Sequence, residues 1–123
     1  MSKETVLVVD DEIRSARWIC DSLAEHDVSL ASNGLEALAK IEASPPFDAI
    51  VCDLMMPDLT GMDLHARVQR LSPGLERRIV LMTGGAFTPR AIRFLAENTN
   101  PCVGKPFEVS ELREATLRVL ALP

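Results

Sequence analysis

Short apolar runs alternate with helix-spaced patterns along the whole chain. Val6-Leu7-Val8-Val9 and Phe47-Asp48-Ala49-Ile50-Val51-Cys52 are compact and rich in β-branched residues, as suits strands buried on both faces of a parallel sheet. Strands are predicted over 5–9, 28–31, 48–52, 79–82 and 102–104. Between the first two, Ile13, Ala16, Ile19, Cys20, Leu23 and Ala24 fall on one side of a helix. Asn33 stands three positions before Glu36, a capping signature, and Leu35, Leu38 and Ile41 follow at helical spacing. Thr60-Gly61-Met62-Asp63 opens a helix carrying Leu64, Val68 and Leu71. Thr88 reads as an N-cap and Pro89 as the first helical residue, with Ile92 and Leu95 facing inward. A last helix places Val109, Leu112, Thr116, Val119 and Leu120 on one face, opposite Glu111, Glu114 and Arg118.

Five βα units result, joined by turns such as Ser44-Pro45-Pro46 and Ser72-Pro73-Gly74. Right-handed crossovers and buried parallel strands favour a doubly wound α/β domain with helices on both faces. A flavodoxin-like (βα)5 arrangement, with five parallel strands in the order 2-1-3-4-5, sets strands one and three side by side.

That order decides how the polar residues read. Asp10 and Asp11 end the first apolar run and Asp53 ends the third. Open α/β sheets bind ligands at the carboxyl ends of their strands, so the three carboxylates are expected to meet at one rim. Like charges that close require a cation or lost protons, which points to a divalent-metal site. Thr83 follows the fourth strand and Lys105 the fifth, at the same rim. Each residue also has a plainer explanation. Asp10 or Asp11 could cap a helix, Asp53 a turn and Thr83 a loop, with Lys105 in solvent. Five such residues converging on one edge favour a site. Glu12 reads instead as a first-turn residue that complements the helix dipole.

With Val8-Val9-Asp10-Asp11-Glu12, Asp53-Leu54-Met55-Met56-Pro57-Asp58-Leu59-Thr60-Gly61 and Lys105-Pro106-Phe107 in this order, the sequence resembles a bacterial receiver domain. Receiver domains belong to the response regulators of two-component signalling, and the resemblance covers essentially the entire chain. It implies a phosphoacceptor rather than an enzyme turning over an external substrate, with Asp53 as the nucleophile that takes the phosphoryl group. Mg2+ would sit on Asp11 and Asp53, on Asp10 directly or through water, and on the backbone carbonyl of Met55. The Thr83 hydroxyl would hold a phosphoryl oxygen, Lys105 would pair with carboxylate and phosphate, and Gly84 would leave the approach open. The Lys105–Pro106 peptide would be cis. The phosphodonor would be a histidine kinase or a histidine phosphotransfer protein. A phosphatase of the haloacid-dehalogenase type would need an aspartate two residues after the nucleophile, where Met55 stands. A degenerate receiver that only binds a partner would not need all five rim residues.

The chain departs from the family at Cys102, three residues before Lys105, where many receivers carry tyrosine or phenylalanine; it has no tyrosine at all. Switching is therefore expected through Thr83 and the loop 84–90, where Gly84 and Gly85 form a hinge and Phe87 is the nearby ring, acting on the face of helix four, strand five and helix five. The segments 82–87 and 101–107 are similar to receivers of hybrid sensor kinases. On a helical wheel Trp18 lies opposite the apolar face, among Arg14, Ser15, Asp21, Ser22 and Glu25. An exposed aromatic of this size suits an interface anchor, and the resemblance places the phosphodonor beside the first helix.

Composition narrows the setting. The 123 residues suit one domain, 1–123, expected to carry no output domain. A net charge of −5 disfavours direct nucleic-acid binding. No apolar run approaches the roughly 20 residues of a membrane span, and the first residues do not read as a signal peptide. A cytoplasmic protein is expected. Cys20, Cys52 and Cys102 are widely spaced and read as buried, reduced thiols. His26 and His65 are placed on helices as ordinary surface or boundary residues.

Overall fold

The computed structural model describes residues 3–43, 46–85 and 88–123. Its elements run β1 (Thr5–Val9), α1 (Ile13–Ser22), β2 (Asp27–Ala31), α2 (Gly34–Ala43), β3 (Ala49–Asp53) and α3 (Gly61–Leu71). A 3-10 turn (Leu75–Arg78) then leads to β4 (Ile79–Thr83), α4 (Pro89–Glu97), β5 (Cys102–Gly104) and α5 (Val109–Leu120). The five strands form one sheet in the order β2-β1-β3-β4-β5, and every neighbouring pair is parallel. This is the doubly wound arrangement that the apolar pattern predicts.

Alternate residues of each central strand feed two separate cores. Val6, Val8, Val51, Val80 and Met82 pack with Ile19 and Leu23 of the α1 segment and with Leu112 and Val119 of α5. Leu7, Val9, Ile50, Ile79 and Leu81 pack on the other side with Leu38 and Ile41 of α2, Leu64 and Val68 of α3, and Ala91 of α4. Burial on both faces explains why the strand sequences show no polar alternation. The buried Thr116 hydroxyl donates to the Leu112 carbonyl 2.8 Å away, so its place in the apolar stripe costs no unmet hydrogen bond.

Several inward assignments are corrected. Ile13 and Leu35 are exposed, because they start helices that begin at the carboxyl rim of the sheet, beyond the strands they would cover. Leu71 is exposed at the far end of α3. Ile92 is exposed because α4 turns Ala91, Phe94 and Leu95 toward the core instead. Helix α1 stops at Ser22, leaving Ala24 exposed and His26 in the turn before β2. Ser22, read from the wheel as polar-face, is buried with its hydroxyl on the Trp18 carbonyl at 2.8 Å.

Only Cys52 of the three thiols is buried. Cys102 is exposed because β5 is a short edge strand that sends only Val103 into the core. His65 is buried rather than peripheral, edge-on to the Phe94 ring at 4.9 Å, and burial holds its imidazole below its usual pKa. Arg78 fastens the end of α5: its guanidinium donates to the carbonyls of Asp48, Val119 and Leu122 at 3.2, 3.1 and 2.7 Å. A cation on the last carbonyls of a helix supplies the partners that the helix itself leaves unmet.

An acidic site at the carboxyl rim of the sheet

The site follows from strand register. Val9 of β1 lies opposite Cys52 of β3, so Asp10 and Asp53 emerge at the same level of adjacent strands. Asp10, Asp11 and Asp53 each offer a carboxylate oxygen, and the three oxygens lie within 4.8 Å of one another. Asp10 is buried, Asp53 is partly buried and Asp11 is exposed. Three hard oxygen donors without thiolate or imidazole fit Mg2+ rather than a softer metal.

Lys105 approaches from β5. Its Nζ lies 3.3 Å from Asp53 Oδ2 and 3.5 Å from Asp10 Oδ2. The Lys105 N–H donates to the Thr83 carbonyl at 2.7 Å, continuing the strand pairing beyond Gly104, and the Lys105–Pro106 peptide is cis as expected. The remaining oxygens are occupied locally: Asp10 Oδ1 accepts the Glu12 N–H at 3.0 Å, and Asp53 Oδ1 accepts the Met55 N–H at 3.2 Å. Burial raises the Asp53 carboxyl above its usual pKa, and Asp10 adds to the rise, while Lys105 and the Met55 N–H oppose it. The lysine thus offsets part of the cost of burying the Asp53 carboxylate.

Thr83 ends β4 and is buried, with its hydroxyl accepting the Gly85 N–H at 3.2 Å. A Cβ on Gly84 would meet open space, in keeping with an unobstructed approach. Of the two glycines only Gly85, at φ +92°, takes a backbone conformation that excludes other residues. Phe87 lies outside the described residues. The N-cap of α1 is Glu12, whose carboxylate accepts from Arg14 N and Ser15 N. Capping is therefore not the task of Asp10 or Asp11, and Glu12 precedes the first turn instead of lying in it.

Of the switch and partner candidates, Thr83 lies at this rim, whereas Trp18 and Cys102 fall outside the cluster. Trp18 is 43% exposed, yet its ring tilts against Phe107 with centroids 5.4 Å apart. One side of the indole therefore covers the segment after Lys105, and the other faces solvent. The sequence offered a signal for this pair, an aromatic two residues beyond the lysine, but not its partner. Cys102, exposed on β5, pairs in register with Leu81.

The profile of the response regulator receiver domain matches residues 6–117. The chain belongs to the response regulator receiver family. Its relatives include the probable transcriptional regulatory protein TcrX of Mycobacterium tuberculosis, 32% identical over 96% of this chain and 49% of that protein. The chemotaxis protein CheY1 of Helicobacter pylori is 31% identical over 89% of this receiver and 90% of its own length. The structure of chemotaxis protein CheY4 of Vibrio cholerae superposes with a TM-score of 0.83 at 29% identity, covering 96% of this chain and 99% of that one. A receiver domain protein from Clostridium thermocellum gives a TM-score of 0.85 at 25% identity, covering 95% and 94%. The receiver spans about half or less of the length of TcrX and of several other curated relatives.

Proposed function

We propose that this receiver is a Mg2+-dependent phosphoacceptor in which Asp53 takes a phosphoryl group from a phosphohistidine. The observation that carries this reading is the Lys105 ammonium set between Asp53 and Asp10, beside a third carboxylate. In the transfer, an Asp53 carboxylate oxygen attacks phosphorus, the P–N bond breaks, and the imidazole nitrogen leaves with the electron pair. A carboxylate is a weak nucleophile, so alignment and charge neutralisation must supply the acceleration. Lys105 would move its interaction from carboxylate to phosphate, and the Thr83 hydroxyl, whose oxygen accepts the Gly85 N–H, would donate its own proton to a phosphoryl oxygen. Mg2+, when bound by Asp11 and Asp53 with Asp10 and the Met55 carbonyl, would neutralise charge on the phosphoryl oxygens.

The acid test is stoichiometric labelling by acetyl phosphate. Asp53→Asn is expected to abolish Mg2+-dependent labelling, and Asp48→Asn, whose carboxylate serves Thr5 instead, to retain it. Labelling that persists in the Asp53 variant would exclude the assignment.

Metal binding has its own readout. Mg2+ relieves repulsion among the three carboxylates, so the wild-type melting temperature should rise on adding it. In Asp11→Ala that rise is expected to fall below half of the wild-type value. An unchanged rise would remove Asp11 from the ligand set.

The solvent-facing side of Trp18 is proposed as part of the docking surface for the histidine kinase or phosphotransfer protein. Trp18→Ala should slow transfer from the cognate donor about tenfold, a typical loss for an exposed aromatic anchor, and leave acetyl-phosphate labelling unchanged. Equal transfer rates would assign the indole to packing on Phe107 alone. Among the described residues no helix is long and apolar enough to cross a membrane. We place the 123 residues in the cytoplasm as one receiver domain that makes no direct contact with nucleic acid.

A further inference from the structure

Helix α4 is the most lightly held helix of the receiver. It has one buried residue, Ala91, whereas each of the other four helices has at least three. Its first turn contains no acidic residue and begins Pro89-Arg90, which puts a cation at the positive end of the helix dipole. Beyond the packing of Ala91, Phe94 and Leu95 on the core, two side-chain contacts tie α4 to α3. Arg90 Nη2 donates to Asp63 Oδ1 at 2.8 Å, and the Phe94 ring meets His65 edge-on.

Asp63 is well placed to anchor the pair. Its Oδ2 accepts both the N–H and the hydroxyl of Thr60, closing the capping box of α3, which leaves Oδ1 for Arg90. The helix it caps is itself fixed to the acceptor strand. The N–H of Gly61 donates to the Leu54 carbonyl at 2.9 Å, and a Cβ on Gly61 would come within 2.8 Å of the Asp53 carbonyl. Arg90 stands on the other branch, the one leaving the site through Thr83. The pair thus ties the segment after Asp53 to the segment after Thr83. A displacement of α4 away from α3 would have to break it.

We propose that the Asp63–Arg90 ion pair is a latch that holds α4 on α3 in the resting receiver, so that its strength sets how readily acceptor-site chemistry releases α4. His65 and Phe94 form the apolar half of the same contact. This inference rests on the acceptor reading of Asp53 and adds the element that restrains the response. Arg90 and Asp63 side chains are 54% and 32% exposed, so the latch is a weak one, and a weak latch suits a helix that must let go.

The test compares Arg90→Gln with Arg93→Gln, which removes a charge from the same helix without touching Asp63. Amide exchange across 90–97 is measured in the resting protein, together with the midpoint of beryllofluoride binding in the presence of Mg2+. In Arg90→Gln the exchange rates should rise and the midpoint should fall, each about two- to fivefold, the range set by a partly exposed ion pair. Arg93→Gln should change neither. An unchanged or higher midpoint for Arg90→Gln would overturn the proposal, as would wild-type exchange rates in α4. Wild-type protein that binds no beryllofluoride would contradict the acceptor reading itself. The exchange comparison decides separately whether the ion pair holds α4.

Discussion

Replacing Lys105 with methionine is expected to slow labelling by acetyl phosphate at least about 100-fold, the usual cost of removing one preorganised charge from a transition state. The substitution keeps much of the side-chain length and takes away the ammonium that sits 3.3 Å from Asp53 and 3.5 Å from Asp10. The resting protein should change as well. Without the lysine, burial and Asp10 act on Asp53 with less opposition, and its carboxyl rises further above the ordinary range. A carboxyl whose folded pKa is raised favours the folded state at low pH. That contribution is lost as pH climbs through the folded value. Thermal melts of Lys105→Met in Mg2+-free buffer should therefore fall more steeply than those of wild type as pH rises from the ordinary carboxylate range toward neutrality. Mg2+ should restore more stability to the variant than to wild type, since it replaces a missing positive charge. Labelling within a few-fold of wild type would remove Lys105 from the chemistry.

Gly61→Ala is expected to cost about 2–3 kcal/mol of stability, a loss typical of overpacking a rigid site. Its Cβ would lie 2.8 Å from the Asp53 carbonyl oxygen and 2.9 Å from Leu54 Cα, both backbone atoms that cannot swing aside as a side chain end can. Relief has to come from separating α3 from the end of β3, which also misplaces the Asp53 carboxylate, so labelling should slow together with the loss of stability. Gly104→Ala serves as the comparison, because an added Cβ there meets nothing within 4 Å. Urea titrations of the two variants give the answer. Equal midpoints would show that the contact at Gly61 relaxes freely.

The sequence carried the sheet and the rim because both depend on short-range patterns. Val6 to Val9 and Ile79 to Met82 are apolar at every position, and at four residues bounded by polar ones such runs suit strands covered on both faces. Once the strand order follows, Asp10, Asp53, Thr83 and Lys105 need no further information to share an edge. The helices were less legible at their ends. Ile13 and Leu35 obey the 3.6-residue period, but the period does not say where the sheet beneath them stops. Ile92 failed for a different reason: α4 is short, and a shift of one residue selects Ala91 and Phe94 as its inward pair.

Pairings between distant segments were not legible at all. Nothing in the local sequence joins Asp63 to Arg90 or Trp18 to Phe107, since each contact exists only after two helices or a helix and a loop have docked. Glu12 shows the finer limit. An acidic triplet at a strand end can divide its tasks in several ways, and side-chain direction decides which carboxylate caps the helix. Here it is the third, which leaves Asp10 and Asp11 for the rim.

The central claim is that Asp53 forms the acyl phosphate, and borohydride trapping tests it most directly. Reduction of an aspartyl phosphate cleaves the acyl C–O bond, releases phosphate and leaves homoserine in place of the aspartate. Protein treated with acetyl phosphate and Mg2+, reduced and digested, should carry homoserine at position 53 and at no other aspartate, with none formed when the metal is chelated. Homoserine at Asp10, Asp11 or any other position, or none under conditions that label the intact protein, would contradict the account.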